Sequence, residues 1–222
     1  MSIFLDTSNV EEIEHYNKSG LIRGVTTNPS IILKNGLGKF SDLEEWAKHI
    51  SSLINPLPLS IEVTSNNKEE IIRQSEEYAS WAKNINVKVT IHDEVGQSNL
   101  QTINHLENSG ISVNVTAMMS AQQCFLAALA GASYVSIFGG RVNNMGYSSI
   151  DEVSKLYELL VKSQLDSKII VGSVRESINI TDWLIAGADI VTVPPSFLET
   201  MIVHSYTKET VKQFMDDSKL TT

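Results

Sequence analysis

A repeating unit dominates the pattern of hydrophobic and polar positions along this chain. Each unit is a short run rich in β-branched residues, then an amphipathic helical stretch, then a turn. Four of the helical stretches end in glycine, which suits the left-handed residue that closes a helix before a tight turn into a strand. These glycines are Gly20, Gly110, Gly131 and Gly187. Two helix starts are marked by capping-box patterns, at residues 8–11 and 149–152, with Ser8 and Ser149 as the predicted caps.

Eight strand-like runs alternate with the helical stretches. They span residues 3–7, 24–28, 59–65, 86–91, 111–117, 134–139, 168–174 and 190–194. Strict alternation predicts a parallel sheet, and eight such units close naturally into a barrel. We therefore predict an α/β fold, a single (β/α)8 TIM barrel that forms one domain over residues 1–222, with an extra C-terminal helix at about residues 207–219. A doubly wound open sheet is the alternative architecture.

Within the predicted strands, one parity of positions is aliphatic and the other is unexpectedly polar. The polar parity contains Asp6, Glu62, Lys88, Asn114 and Thr116. Because alternate side chains of a barrel strand point inward, we expect these five to converge inside the barrel near its C-terminal mouth. An antiparallel sheet with one exposed face would show the same alternation, but the helical connections favour the barrel.

Two carboxylates and a lysine in one interior suggest chemistry, because unpaired buried charges are costly. A lysine with limited solvation loses part of its preference for the ammonium form, and its neutral amine can attack a ketone to form an iminium ion. That cation accepts electrons when an adjacent carbon–carbon bond breaks, and Asp6 and Glu62 are candidates for the proton transfers. The alternative is that Lys88 forms an inert buried ion pair.

Composition narrows the set of partners. The formal net charge is −9 and the pI is near 5.0, which argues against nucleic acid or an anionic membrane as the main partner but permits a small anionic substrate. The single cysteine, Cys124, excludes an internal disulfide and fits a reducing cytosol; it is either a packed helical residue or a catalytic thiol. No leader pattern and no apolar run of about 18 residues is present, so a cytoplasmic protein is expected.

Several sequence blocks resemble those of the transaldolase family. Residues 24–30, Gly-Val-Thr-Thr-Asn-Pro-Ser, resemble the family signature on the second strand. Further matches are Asp6-Thr7, the Val-Lys-Val around Lys88, and residues 114–116, 136–141 and 172–175, in order along nearly the whole chain. The short length is similar to the small transaldolase and fructose-6-phosphate aldolase subgroup. That resemblance implies a (β/α)8 barrel that forms a homo-oligomer, a decamer or a pentamer.

The resemblance also implies a role for each matching residue. Lys88 corresponds to the Schiff-base lysine, Asp6 to the acid/base aspartate, and Glu62 to a glutamate acting through a water held with Thr116. The implied substrate-binding residues are Thr26, Asn28, Asn114, Ser136 and Phe138. The implied phosphate-binding residues, which would hold another anion equally well, are Arg141, Ser173 and Arg175. Two ordinary surface arginines are the alternative for that last group.

The resemblance separates two activities and leaves the substrate open. Glu62 and Phe138 match the transaldolases, whereas the aldolase relatives carry glutamine and tyrosine. We expect a dihydroxyacetone unit to pass from fructose 6-phosphate to erythrose 4-phosphate or glyceraldehyde 3-phosphate, as in the pentose phosphate pathway. Departures from the family pattern at Thr90, Ile137 and Gly139 keep open another ketose with an anion at C6, such as 6-deoxy-6-sulfofructose.

Two rival functions remain, namely an aldolase that releases free dihydroxyacetone and an inactive barrel that binds sugar phosphates. Neither a metal nor a cofactor is expected, since the five histidines show no metal-ligand spacing. Only His92, just past the fourth predicted strand, is placed to contact a substrate.

Overall fold

Eight parallel strands close into a barrel in the computed structural model, which describes residues 1–37 and 40–220 of the chain. The strands are β1 (Ser2–Asp6), β2 (Val25–Thr26), β3 (Leu59–Glu62), β4 (Ile85–Thr90), β5 (Val113–Met118), β6 (Tyr134–Ile137), β7 (Lys168–Val171) and β8 (Ile190–Val193). Each strand pairs with the next in chain order, and β8 pairs with β1. The (β/α)8 TIM barrel is confirmed, and the open-sheet alternative is wrong.

Every strand is followed by at least one helix. The helices are α1 (Val10–Lys18), α2 (Pro29–Lys34), α3 (Phe40–Ile54), α4 (Lys68–Trp81), α5 (Leu100–Asn108), α6 (Ala121–Leu129), α7 (Gly139–Asn144), α8 (Ser149–Ser163), α9 (Ile178–Ile185), α10 (Pro195–Ile202) and α11 (Ser205–Ser218). The four glycines predicted to end helices all have positive φ, from 68° at Gly20 to 114° at Gly187. Only glycine adopts this conformation without strain, so these helix ends are confirmed.

Two of the strands end well before the residues that the sequence pattern predicts. β3 ends at Glu62 rather than at residue 65, because the Thr64 backbone N–H donates to the Gln74 side chain (3.0 Å) and not to a neighbouring strand. β7 ends at Val171 rather than at residue 174, because Ser173 has a φ of 62°, outside the extended region.

The caps of two helices lie one residue from the predicted positions. Asn9, not Ser8, caps α1 by accepting from the Glu12 backbone N–H (3.1 Å), and Ser148 caps α8. The two predicted caps have other partners: Ser8 donates to the Ile31 carbonyl oxygen, and the Ser149 hydroxyl accepts from the Trp183 indole N–H at 2.7 Å. The capping-box patterns therefore predict roughly where these helices start but not which side chain caps them.

The apolar core lies mainly between the barrel and the surrounding helices. Outward-facing strand residues such as Leu5, Val87 and Val115 are fully buried there. A second, smaller cluster fills the N-terminal end of the barrel interior and contains Phe4, Ile170 and Ile190, with Tyr134 packed against it. Because this cluster plugs the bottom, the polar interior positions that follow it in each strand can open only toward the C-terminal mouth.

The last helix, α11, extends away from the barrel. It covers Ser205–Ser218, close to the predicted bounds, and residues 201–220 are all exposed. Its exposed apolar residues include Val211, Phe214 and Met215. The helix therefore does not bury its apolar side on its own barrel. Within the described ranges, no helix has both the length and the hydropathy needed to cross a bilayer.

Candidate active site

Lys88 lies at the centre of the barrel interior. It projects inward from β4, its exposed fraction is 5%, and its Nζ donates a 2.7 Å hydrogen bond to the Thr27 backbone carbonyl. Glu62 pairs with Lys88 in the register of β3 and β4, and its Oε2 lies 3.4 Å from Nζ. The predicted convergence of this lysine and a carboxylate is observed, and the Thr27 carbonyl is a partner that the sequence analysis missed.

Asp6 approaches the same space from β1. Its Oδ1 accepts a 2.7 Å hydrogen bond from the Thr26 hydroxyl, which also lies 2.5 Å from the hydroxyl of Thr192 on β8. Burial raises the pKa of the Asp6 carboxyl, the positive charge of Lys88 and the Thr26 hydrogen bond oppose that rise, and the charge of Glu62 adds to it. Because its pKa is perturbed by burial and by specific charged neighbours, Asp6 is a candidate functional group of this site.

A second hydrogen-bond chain crosses the interior on the other side of Lys88. The Ser136 hydroxyl donates to Asn114 Oδ1 at 2.6 Å, and Asn114 Nδ2 donates to the Ser60 hydroxyl at 3.3 Å. All three residues are buried. Ser60 and Thr192 were not among the predicted site residues, although both occupy the inward parity of their strands, the signal by which the others were found.

Thr116 of β5 is the last of the predicted catalytic residues. It lies opposite Thr90 of β4, and its Oγ1 is buried with no hydrogen-bond partner among the described residues. The next residue, Ala117, has a φ of 61°, and the pairing of β5 with β6 shifts register at this point. An unsatisfied buried hydroxyl in the barrel interior is a polar group still available to a substrate or a water.

The predicted anion-binding residues lie just after the ends of β6 and β7. Gly140 packs directly against the Ser173 carbonyl and the Arg175 side chain, so the start of α7, which carries Arg141, lies beside this segment. The Ser173 Oγ is buried without a hydrogen-bond partner among the described residues. Both guanidinium-bearing side chains are exposed, and that of Arg141 lies 5.2 Å from the centroid of the Phe138 ring.

Gly139, a departure from the family pattern, has a packing explanation. A Cβ atom on this residue would lie 2.6 Å from the Trp183 indole and 2.8 Å from the Val171 side chain. Trp183 is fully buried, so it fills the space that a side chain at residue 139 would otherwise occupy. The departure therefore reflects the packing of α9 and β7 against the start of α7 and carries no direct information about the substrate.

Replacing Gly140 with alanine is expected to destabilise the fold. The new methyl group would overlap the Ser173 backbone carbonyl, which cannot rotate away. We expect the free energy of unfolding to fall by about 1–3 kcal/mol, as for other overpacked sites. Denaturant unfolding measures this change. Asn144→Ala, at an exposed position of the same helix, is the control, and equal stabilities of the two variants would contradict the expectation.

Three further residues were singled out by the sequence, namely Asn28, His92 and Cys124. Asn28 is half-buried and its Oδ1 caps α2 by accepting from the Ile31 N–H at 3.0 Å. His92 is exposed, and its Nδ1 lies 2.6 Å from the Asp93 carbonyl oxygen. Burial raises the pKa of the Cys124 thiol, which favours the packed cysteine over the catalytic thiol.

Across residues 1–37 and 40–220, no group of three or more His, Cys, Asp or Glu side chains is arranged to hold a metal ion.

Comparison with known proteins places this geometry in context. The family model described as Transaldolase/Fructose-6-phosphate aldolase matches residues 3–221. A probable transaldolase of Carboxydothermus hydrogenoformans is 40% identical over 220 residues, covering 98% of this chain and 97% of that protein. A probable transaldolase of Methanococcus vannielii is 37% identical over 217 residues, with coverages of 98% and 97%.

Among solved structures, the thiamine phosphate pyrophosphorylase from Pyrococcus furiosus is similar with a TM-score of 0.62 over 87% of this chain and 85% of that one. The sequence identity is 12%, so this likeness concerns the fold alone.

Proposed function

Because the chain belongs to the transaldolase/fructose-6-phosphate aldolase family, we propose that it is a class I transaldolase with Lys88 as its Schiff-base nucleophile. The donor is fructose 6-phosphate or a related ketose with an anion at C6, and the acceptor is erythrose 4-phosphate or glyceraldehyde 3-phosphate. One observation carries the proposal: the Lys88 amine is buried in the barrel interior 3.4 Å from the Glu62 carboxylate, at the end of the barrel that opens to solvent.

Lys88 forms the covalent bond. Its Nζ attacks C2 of the ketose, the carbonyl oxygen takes up a proton, and the resulting carbinolamine loses water to give an iminium ion. Glu62 exchanges the protons of these steps through a water held with Thr116, whose Oγ1 is otherwise unsatisfied. The Thr27 carbonyl holds the amine in place before attack.

Asp6 acts as the base of the cleavage step. Its carboxylate removes the proton of the C4 hydroxyl, the C3–C4 bond breaks, and the electron pair of that bond flows into the iminium to form an enamine. The aldehyde half of the donor leaves. The enamine then attacks the carbonyl carbon of the acceptor, Asp6 returns its proton to the new hydroxyl, and water hydrolyses the iminium to release the product ketose and the free amine.

Polar groups around Lys88, Glu62 and Asp6 hold the substrate. Asn114 and Ser136 bind the hydroxyls of the dihydroxyacetone part, and Thr26 keeps Asp6 in place. The Asn28 side chain uses its oxygen on α2, which leaves its amide hydrogens for a substrate hydroxyl. The anionic end lies against Arg141, Ser173 and Arg175, where the planar guanidinium groups suit a tetrahedral oxyanion.

The dihydroxyacetone unit is transferred to an acceptor rather than released, because no proton donor is expected beside the enamine. Free dihydroxyacetone forms only when a proton reaches the enamine carbon before an acceptor aldehyde does. Phe138 directly follows β6, two residues after the inward-facing Ser136, and carries no hydroxyl to supply that proton. The enamine therefore persists until an acceptor arrives.

Borohydride trapping tests the proposal. The protein is incubated with fructose 6-phosphate without an acceptor and then reduced, and the peptide containing Lys88 is expected to gain the mass of a reduced three-carbon adduct. Steady release of product is expected only after an acceptor aldehyde is added. No adduct on Lys88 would contradict the Schiff-base mechanism, and rapid formation of free dihydroxyacetone without an acceptor would favour the aldolase.

The anion at C6 is tested by comparing fructose 6-phosphate with 6-deoxy-6-sulfofructose. A phosphate monoester gains its second charge near pH 6, whereas a sulfonate stays singly charged. If the arginines are adapted to phosphate, the KM for the phosphosugar is expected to rise as the pH falls from 8 to 5.5 while that for the sulfosugar does not. Better turnover of the sulfosugar at every pH would identify the sulfosugar as the preferred donor.

We propose in addition that the chain forms a homo-oligomer. The exposed apolar side of α11, which includes Val211, Phe214 and Met215, supports this proposal because such a surface is normally covered in solution. The molar mass measured by light scattering is expected to be a multiple of the 24.5 kDa of one chain. A mass of 24.5 kDa would contradict it.

A further inference from the structure

Thr192 of β8 is a buried polar residue to which the mechanism above gives no role. Its exposed fraction is 7%, and its hydroxyl lies 2.5 Å from that of Thr26, which in turn lies 2.7 Å from Asp6 Oδ1. The three side chains form one continuous chain of hydrogen bonds across β8, β2 and β1.

The direction of these hydrogen bonds is fixed by the number of hydrogens available. A carboxylate can only accept, so the single hydroxyl hydrogen of Thr26 is committed to Asp6. The short contact between the two threonine hydroxyls then requires Thr192 to donate to Thr26. While Asp6 is ionised, the chain runs from Thr192 through Thr26 to the carboxylate.

The rotamer of Thr192 is held from the opposite side. A Cβ atom added to Gly172 would lie 3.2 Å from Thr192 Cγ2, so the methyl group packs close to the backbone of Gly172. Because the methyl and hydroxyl groups are fixed relative to each other on Cβ, that packing directs the hydroxyl toward Thr26. Gly172 on one side and Thr26 on the other therefore leave Thr192 a single orientation.

We propose that Thr192 is a positioning residue that keeps the Thr26 hydroxyl hydrogen directed at Asp6 and so maintains Asp6 as the carboxylate that the cleavage step needs. The role of Asp6 in this inference rests on the proposed function, whereas the hydrogen-bond chain does not. Donation by Thr192 polarises the Thr26 hydroxyl and strengthens its bond to Asp6, since hydrogen bonds in series reinforce one another in a low-dielectric interior.

The effect on Asp6 has a definite sign. The charged groups that act on this carboxyl are Lys88, which lowers its pKa, and Glu62, which raises it; the Thr26 hydrogen bond also lowers it. Weakening that hydrogen bond leaves burial and Glu62 less opposed, so the pKa of Asp6 rises further. At low pH, Asp6 is protonated and cannot act as a base, so kcat/KM falls. With a higher pKa of Asp6, this fall occurs at a higher pH.

Thr192→Val tests the inference because it keeps the shape of the side chain and removes the hydroxyl. We expect the midpoint of the Asp6 titration, followed by carbon-13 NMR of the carboxyl in the unliganded protein, to rise by about half a pH unit. The acid limb of kcat/KM is expected to move by the same amount, with kcat reduced about threefold to tenfold. Thr192→Ser, which keeps the hydroxyl, is expected to restore most of both values. Thr102→Val, a buried threonine of α5, is expected to change neither.

The two measurements separate this inference from the proposed function. An unchanged Asp6 titration in Thr192→Val would overturn the inference, whatever the activity. A shifted titration in a protein whose Lys88 forms no adduct would support the hydrogen-bond chain and contradict the transaldolase. A loss of activity in Thr192→Val without any shift in either pH profile would indicate a merely structural role and would also overturn the inference.

Discussion

Replacing Lys88 with methionine is expected to reduce kcat by about 10⁴-fold or more and to abolish the borohydride adduct. The thioether has nearly the length of the lysine side chain but no amine, so neither the carbinolamine nor the iminium can form. Without the iminium, the electrons of the C3–C4 bond have no acceptor, and Asp6 and Glu62 cannot compensate. The measurements are turnover with fructose 6-phosphate and erythrose 4-phosphate, and mass spectrometry of the reduced protein.

Controls distinguish loss of the nucleophile from loss of the fold. Lys83→Met removes an exposed lysine just before the start of the same strand and is expected to leave turnover and adduct formation unchanged. Lys88→Met also leaves Glu62 without its ion-pair partner, so circular dichroism must show that the variant stays folded. An adduct of undiminished yield in folded Lys88→Met would show that another residue is the nucleophile.

The alternation of polar and apolar residues along the strands predicted the centre of the site, because barrel geometry fixes the direction in which each strand side chain points. Side chains alternate strictly, so a polar residue at an inward position must enter the barrel wherever the strand sits. Glu62 and Lys88 therefore meet across β3 and β4. The same rule applied to β8 would have found Thr192. The Thr27 carbonyl could not be found in this way, because a backbone carbonyl has no residue-type signal.

The end of β7 and the helix caps were not predicted, because each depends on which neighbouring group a residue packs against or hydrogen-bonds to in the folded protein. β7 stops at Val171 because Ser173 turns into a positive φ, a conformation that serine adopts only when its surroundings impose it. Here the close packing of Gly140 on the Ser173 carbonyl is part of those surroundings. The cap of α8 likewise depends on a distant residue. The Ser149 hydroxyl accepts a hydrogen bond from Trp183, and a local sequence pattern cannot show that this partner exists.

Replacing Asp6 with asparagine is expected to separate iminium formation from cleavage. The amide cannot take the C4 hydroxyl proton, so kcat is expected to fall by about 10²–10⁴-fold, the contribution of a general base. Lys88 and Glu62 are unchanged, so the iminium still forms. Borohydride is therefore expected to trap the intact six-carbon ketose on Lys88 instead of the three-carbon adduct. A three-carbon adduct of normal yield would exclude Asp6 as the base of cleavage.

The same substitution is expected to stabilise the folded protein at neutral pH. Burial raises the pKa of Asp6 above its ordinary value of 3.8, so the folded state holds this proton more tightly than the unfolded state. As the pH rises from 3.8 through the folded-state pKa, the unfolded chain loses its proton first and the wild-type protein loses stability. Asparagine carries no such proton, and its amide oxygen can still accept from Thr26.

The stability gain of Asp6→Asn should consequently depend on pH. Urea unfolding at pH 5 and pH 8 is expected to show a larger advantage over wild type at pH 8, because the unfolded wild-type chain gives up this proton more readily than the folded protein does. Asp166→Asn, at an exposed position before β7, is the control and is expected to show no advantage that grows with pH. An advantage that shrinks toward pH 8 would mean that Lys88 and Thr26 outweigh burial at Asp6. In that case, the carboxylate that acts in cleavage would also stabilise the fold.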